Sequence, residues 1–273
     1  MNRPRKRFAQ HWLRSEAVLE RIVEAADLSA SDRILEIGPG TGTLTQRILP
    51  GVQALTAVEI DRDLCKKLVR AYGDADNFLL LQGDILDPET LAPLARFPKF
   101  EQPNKVVANI PYNITGPILQ FLLGTIAQPN PRPYQAIVLL VQREIGDRLT
   151  AQPGTKAYGA LTVRVRYLAD CEIICPVPRK AFYPAPKVES AVIRLLPHVP
   201  LPVDRAQHLE TLVKVGFSSR RKMLKNNLKS LMPVETLNGI FEQVGIPVDC
   251  RAETLSVTQW IALSNQIVRT VTP

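Results

Sequence analysis

Along the first two-thirds of the chain, the spacing of apolar positions switches repeatedly between that of a helix and that of a buried strand. Between Ser15 and Leu28, Val18, Leu19, Ile22, Val23 and Ala26 recur at helical spacing, with Ser15 placed as an N-cap. Short β-rich runs follow at 33–37, 54–59, 78–82, 105–109 and 135–141. Helical candidates lie between them at 43–49, 61–72, 116–123 and 143–150. This alternation predicts an α/β fold, a mostly parallel sheet with helices on both faces. Two later β-rich runs, 171–175 and 188–196, have only a proline-rich loop and no helix-length segment between them. They are expected as an antiparallel hairpin finishing the sheet. Pro197, Pro200 and Pro202 mark a linker, beyond which 204–215, 218–231, 234–244 and 257–268 read as helices. The expected organisation is an α/β domain over 1–198 and a small all-α domain over 199–273.

The location of charge changes this picture more than bulk composition does. No apolar run in the 273 residues reaches membrane-spanning length, and the composition is that of a soluble globular protein. The net charge of +8 is concentrated in two places. Arg3, Arg5, Lys6 and Arg7 lie at the start, and Lys214, Arg220, Arg221, Lys222, Lys225 and Lys229 fall within 211–234, a stretch with no acidic residue. The remainder is slightly acidic, so the excess points to a polyanionic partner. The first basic run leads into Phe8-Ala9-Gln10-His11 and not into an apolar stretch, so no signal peptide is expected. Cys65, Cys171, Cys175 and Cys250 lack paired spacing, and the histidines do not cluster. Neither a disulfide framework nor a metal site is expected, and free thiols suit a reducing cytoplasm.

Candidate chemistry sits at the ends of the predicted strands. Glu36-Ile37-Gly38-Pro39-Gly40-Thr41-Gly42 joins the first strand to its helix, and glycines there let the backbone approach a ligand closely. Alone, it is a tight βα turn. The NAD fingerprint needs a further glycine where Thr43 stands, which disfavours a nicotinamide oxidoreductase. Glu59 ends the second strand, where a carboxylate can accept both hydroxyls of a ribose, and Ile60 is placed to cover an adenine face. Gly83-Asp84-Ile85 ends the third strand, with Asp84 able to accept from an adenine amino group. Singly, each acid reads as a surface charge or a cap. Three consecutive strand ends bearing a glycine loop and two acids meet where open α/β sheets bind ligands. Asn109-Ile110-Pro111-Tyr112 follows the fourth strand. Such a tetrad can end a strand at a proline turn. It also suits a planar exocyclic amine: the Asn109 amide oxygen and the Ile110 carbonyl can accept from one NH2 while Tyr112 stacks on the base.

With that tetrad, the chain resembles S-adenosyl-L-methionine (SAM)-dependent methyltransferases that modify an amino nitrogen. More narrowly, it resembles the small-subunit ribosomal RNA adenine N6,N6-dimethyltransferases, the KsgA/RsmA family. The likeness runs nearly end to end. Arg5-Lys6-Arg7-Phe8-Ala9-Gln10-His11-Trp12-Leu13 is similar to the family's N-terminal cofactor-binding stretch. Pro178, Phe182-Tyr183-Pro184-Ala185-Pro186-Lys187-Val188 and Ser190 are similar to its target-base loop. Phe217, Arg220-Arg221-Lys222, Leu224 and Asn226-Asn227-Leu228 are similar to its RNA-contacting helix, and Arg251, Glu253, Leu255 and Ser256 to its closing motif. The resemblance implies a Rossmann-like methyltransferase sheet and SAM contacts at His11, Leu13, Gly38, Glu59, Asp84 and Asn109, with Gly40, Ile60 and Ile85 beside them. It implies dimethylation of two adjacent adenosines in the 3′-terminal hairpin of 16S rRNA during small-subunit biogenesis. Arg220, Arg221, Lys222, Lys225 and Lys187 would meet RNA phosphates. The expected enzyme is a cytoplasmic monomer with no metal and no membrane partner. The chain departs from the family's commonest Gly-Gln-Asn-Phe form in carrying Ala9-Gln10-His11-Trp12, where His11 can still donate to the methionine carboxylate.

In the mechanism this implies, Asn109 and the Ile110 carbonyl orient N6, Tyr112 stacks on an extruded base and Phe182 covers its other edge. No side chain is an obvious strong general base. Tyr158-Gly159 reads either as a substrate-side loop or as a turn. Large-subunit adenine methyltransferases share the pocket and tetrad, but the Arg-Arg-Lys segment and the closing motif favour the small-subunit type. A DNA adenine methyltransferase would need a base-reading domain that is not evident. A non-catalytic RNA-binding assembly factor is the reading of another class.

Overall fold

The computed structural model describes residues 11–271; the basic run at 3–7 and the 5–10 part of the N-terminal motif lie outside them. The strands are β1 (Trp12–Leu13), β2 (Arg33–Ile37), β3 (Ala54–Glu59), β4 (Phe78–Gln82), β5 (Lys105–Asn109), β6 (Ala136–Gln142), β7 (Ala169–Val177), β8 (Phe182–Tyr183) and β9 (Ser190–Pro197). The helices are α1 (Glu16–Ala26), α2 (Thr45–Ile48), α3 (Arg62–Tyr72), α4 (Thr115–Leu123), α5 (Arg143–Leu149), α6 (Ala160–Leu168), α7 (Ala206–Gly216), α8 (Leu224–Leu228), α9 (Val234–Gln243) and α10 (Val257–Val271). Two compact units result. The first takes the chain up to Leu122, then 132–146 and 171–197; the second takes 123–131, 147–170 and the chain from His198 onward.

In the first unit, seven strands run in the order β4-β3-β2-β5-β6-β9-β7. The pairs β3/β4, β2/β3, β2/β5 and β5/β6 are parallel, and β9 is antiparallel to β6. The interior strands are buried on both faces, which is why they read as unbroken apolar runs. β9 inserts between β6 and β7, so the edge strand on that side is β7 and not the last strand in the chain. Val18, Leu19 and Ile22 of α1 pack in one core with Ile34, Leu55, Val107 and Val138 from the sheet. Ser15 has the extended backbone of an N-cap but makes no side-chain cap bond. A separate two-stranded sheet pairs β1 with β8, setting Trp12 opposite Tyr183 and Leu13 opposite Phe182.

Across the sheet, at the start of β2 and β5, Asp32 collects Lys105 Nζ at 2.9 Å, Asn104 Nδ2 at 2.7 Å and the Ser29 amide at 2.7 Å. Burial pushes the Asp32 carboxyl up, but these three donors outweigh it and hold the group below the usual aspartate range. This network fixes the strands whose other ends carry the chemistry.

The second unit is helical. No element is expected from the sequence at residues 160–168. They form α6, started by Thr162, whose Oγ1 accepts from the Gly159 amide and donates to the Arg148 carbonyl. The single helix expected over 218–231 is corrected: only Leu224–Leu228 is α-helical, and Arg220-Arg221-Lys222 sits in the turn before it. Asn227 Nδ2 donates to the carbonyls of Gly216 at 2.5 Å and Ser219 at 3.0 Å, and Arg220 donates to those of Lys156 at 2.6 Å and Tyr158 at 3.2 Å. Side chains that take up backbone carbonyls in this way compete with helical hydrogen bonds. Tyr158 closes a turn, its amide donating to the Thr155 carbonyl at 3.2 Å, and its ring is fully buried, which removes it from a substrate-side role.

Gly216 closes α7 against the buried Trp260: a Cβ there would stand 2.4 Å from the indole Cη2. Gly216→Ala is therefore expected to overpack the unit and cost about 1–3 kcal/mol. A urea midpoint equal to that of the parent protein would show that Trp260 moves freely.

Candidate active site

β3 and β4 lie on one side of β2, and β5 and β6 on the other. At this reversal, the C-terminal ends of four parallel strands open into one cavity of about 350 Å³. His11, Gly38, Gly40, Glu59, Ile60, Asp84, Ile85, Asn109, Ile110, Pro111 and Tyr112 all line it. Ile37, Val58, Gly83, Asn113 and Ile114 complete the walls with Trp12, which like His11 departs from the commonest family form.

The glycine loop and Glu59 form one unit. Glu59 is 5% exposed; its Oε2 accepts from the Gly40 amide at 3.0 Å and its Oε1 from the Asp61 amide at 2.9 Å. Burial pushes the Glu59 carboxyl up, while those two amides pull it down. The carboxylate is thus fixed, with further lone pairs left for hydroxyl donors. Gly40 has φ +61°, a conformation that favours glycine, and its bare Cα faces the Trp12 indole, which lies 3.5 Å from where a Cβ would stand. Ile60 is 46% exposed at the wall while Ile85 is buried. Asp84 is exposed, and its Oδ1 accepts from the Leu86 amide at 3.0 Å. Apolar walls, a fixed buried acid, an exposed acid and a bare glycine backbone suit a nucleoside carrying a charged tail, in a volume typical of small-molecule sites.

In the tetrad, Asn109 Nδ2 lies 3.2 Å from the His11 carbonyl oxygen. A carbonyl only accepts, so the amide nitrogen faces it and Oδ1 is the atom left to accept from a ligand. Tyr112 shares a 2.6 Å hydrogen bond between its hydroxyl and that of the buried Ser190, which fixes the ring edge. Burial pushes its phenol up against the pull of Ser190, so the ring stays neutral. Its face lies near-parallel to the His11 imidazole, with centroids 6.0 Å apart.

His11 Nδ1 lies 2.7 Å from the Pro184 carbonyl, so that nitrogen carries the proton. A neutral imidazole then presents Nε2 as an acceptor, and donation to a carboxylate requires the doubly protonated ring. The sequence reading of His11 as a simple donor is qualified accordingly. Phe182 is corrected: it is 5% exposed, sits in the core beside Leu13 and does not line the cavity. Leu13, at 3% exposure, likewise packs in the core and borders only a smaller void of about 30 Å³. Their contribution is to hold β1 and β8 together, which positions His11. Lys187, Arg221 and Lys222 are exposed and Lys225 is half-buried, and none of them lines the cavity. Arg220 is engaged with its two carbonyls.

Sequence reasoning did not single out Glu36. It is 1% exposed, its Oε2 accepts from the Thr45 hydroxyl at 2.7 Å, and its Oε1 has no partner among the described residues. Burial pushes its carboxyl up to about 8. It borders the 30 Å³ void beneath the glycine loop. Its place directly before the loop was the available signal. Among the described residues, no group of acids, cysteines and histidines could hold a metal ion, and all four cysteines are free thiols.

The family described as ribosomal RNA adenine dimethylase matches residues 1–269 of this chain. The ribosomal RNA small subunit methyltransferase A of a Picosynechococcus species is 60% identical over 267 residues, 97% of each chain. The protein of that name from Trichormus variabilis is 59% identical over 266 residues, 97% of this chain and 98% of its own. Among solved structures, a dimethyladenosine transferase from Plasmodium falciparum shares the fold, with a TM-score of 0.76 and 24% identity over 93% of this chain and 96% of its own. The 23S rRNA methyltransferase ErmE has a TM-score of 0.73 and 26% identity, over 94% of this chain and 99% of its own. A match of this extent, on a Rossmann-like sheet with the cavity at its switch point, identifies the family: the chain belongs to the ribosomal RNA adenine dimethylases.

Proposed function

We propose that this protein uses SAM to dimethylate N6 of two adjacent adenosines in the 3′-terminal hairpin of 16S rRNA during small-subunit assembly. The observation that carries this reading is the orientation of Asn109, whose Oδ1 is left to accept from an exocyclic amine. The names of the 59–60% identical relatives supply the subunit.

In the cofactor part, Glu59 would hold the ribose hydroxyls, Ile60 and Ile85 the adenine faces and Asp84 the adenine amine. Bound there, SAM supplies a methyl group on a positively charged sulfur, an electrophile that needs little activation. The protein's task is alignment. Asn109 Oδ1 and the Ile110 carbonyl accept from N6, drawing its lone pair out of the ring, and the neutral Tyr112 stacks on the extruded base. The N6 proton leaves to water after methyl transfer. The exposed Arg221, Lys222 and Lys187, with Lys225, meet phosphates and orient the RNA without reading its sequence. The protein acts as a single cytoplasmic chain on the assembling subunit; no helix among the described residues is long and apolar enough to cross a membrane.

Glu59→Gln keeps the shape but removes the charge from the ribose contact. It is expected to weaken SAM binding about 10- to 100-fold by titration calorimetry. An unchanged affinity would take Glu59 out of the cofactor site. The acceptor is tested by offering labelled SAM with unmethylated small subunits, large subunits or duplex DNA. Label confined to the small subunit is expected; label on 23S RNA or DNA would overturn the assignment.

A further inference from the structure

The small β1/β8 sheet has two faces. Leu13 and Phe182, paired across it, point into the core. Alternation puts Trp12 and its partner Tyr183 on the opposite face, with Arg14 on the same side. The ladder continues to Arg14, whose amide donates to the Ala181 carbonyl at 2.8 Å. The Arg14 guanidinium carbon lies 4.1 Å from the centroid of the Tyr183 ring, yet the tyrosine remains 48% exposed. Trp12 lines the cofactor cavity. An indole, a phenol ring and a planar cation therefore share one face that begins at the cavity. Nothing in the core requires Tyr183, and the cofactor-binding and amine-holding groups do not use it.

We propose that Arg14 and Tyr183 form a stacking platform for an unpaired RNA base next to the target adenosine. This rests on the rRNA-dimethylation reading above and adds the residues that hold the strand beside the methylated base. Charge favours a nucleic-acid occupant. Arg179 and Lys180 lie just before β8, separated from it by Ala181, and Lys187 follows it, all exposed, and the acid in this loop, Glu189, is paired with Arg179 at 3.5 Å. Guanidinium planes and tyrosine rings accept any base face, so the platform supplies affinity and register without base identity. An apolar protein partner would offer nothing to Lys180 and Lys187, the cations of this loop other than the Glu189-paired Arg179. The location also explains how two neighbouring adenosines stay near one cavity: while one enters, the strand beside it is held on the adjoining face.

The test uses the full-length protein and unmethylated small subunits. Tyr183→Ala is expected to raise KM for the subunit about 10- to 100-fold while leaving the SAM dissociation constant unchanged. Tyr183→Phe should restore the wild-type KM, and Arg14→Lys, which keeps the charge but loses the plane, should raise it. A hairpin RNA carrying 2-aminopurine on either side of the target should lose fluorescence on binding the wild type and not the alanine variant. Wild-type KM and quenching in Tyr183→Ala, in an enzyme that methylates the subunit, would overturn the platform alone. Absence of methyl transfer by the wild-type protein would instead overturn the functional reading on which it stands. A SAM affinity lost together with the KM change would show that Tyr183 only supports the fold.

Discussion

Asn109→Ala is expected to lower the rate of methyl transfer by about 10²–10³-fold. The loss should be larger than any loss of SAM affinity. The side chain does two things that alanine cannot. Its nitrogen is held by the His11 carbonyl, and this leaves the oxygen to accept from the substrate amine. That acceptor matters most when positive charge develops on N6, so its removal falls on kcat more than on binding. Asn109→Asp should not rescue, because one carboxylate oxygen would then face the His11 carbonyl with no hydrogen to share. Binding to the small subunit should persist in the alanine variant, since the basic residues proposed to meet RNA phosphates do not line the cavity. Unimpaired methylation would remove the amide from the mechanism. Unimpaired subunit maturation without methylation would favour the assembly-factor reading.

The second large effect concerns stability. Glu36 is an acid whose folded value is raised to about 8 by burial, with the Glu59 charge adding to the rise and the Thr45 hydroxyl opposing it. Below the ordinary glutamate value of about 4.3, both folded and unfolded chains hold the proton. Between there and about 8, the unfolded chain releases it and the folded chain does not. The contribution of this group to stability therefore falls as pH rises, by at most about 1.4 kcal/mol per pH unit. Glu36→Gln keeps an oxygen for the Thr45 hydroxyl and cannot titrate. The variant's advantage in unfolding free energy should be small near pH 4.5 and widen towards pH 8. Urea curves for the two proteins that stay parallel over this range would mean that Glu36 is ionised in the folded state.

Much of the site was legible because it belongs to strand ends. Apolar runs located β2, β3, β4 and β5, and each is followed by the residues that line the cavity: the glycine loop, Glu59, Asp84 and the tetrad. What the sequence could not show depends on partners far along the chain. Nothing local says which atom of the Asn109 amide faces inward; the answer comes from a carbonyl 98 residues away. Phe182 matched a substrate-loop pattern, but its pairing with Leu13 turns the ring into the core and leaves Tyr183 outside. The His11 tautomer is set by Pro184, 173 positions distant. In the second unit, the helix expected over 218–231 is broken where Asn227 takes the Ser219 carbonyl, one that a longer helix would have used. Nor does the sequence alone assign α6, whose first turn is set by Thr162 bonding the Gly159 amide and the Arg148 carbonyl.

The most direct test of the account is mass mapping of 16S rRNA after incubation of unmethylated small subunits with this protein and isotopically labelled SAM. The account predicts N6,N6-dimethyladenosine, carrying the label, at two neighbouring positions of the 3′-terminal hairpin. Label on any other atom or RNA, or no label despite SAM binding, would contradict it.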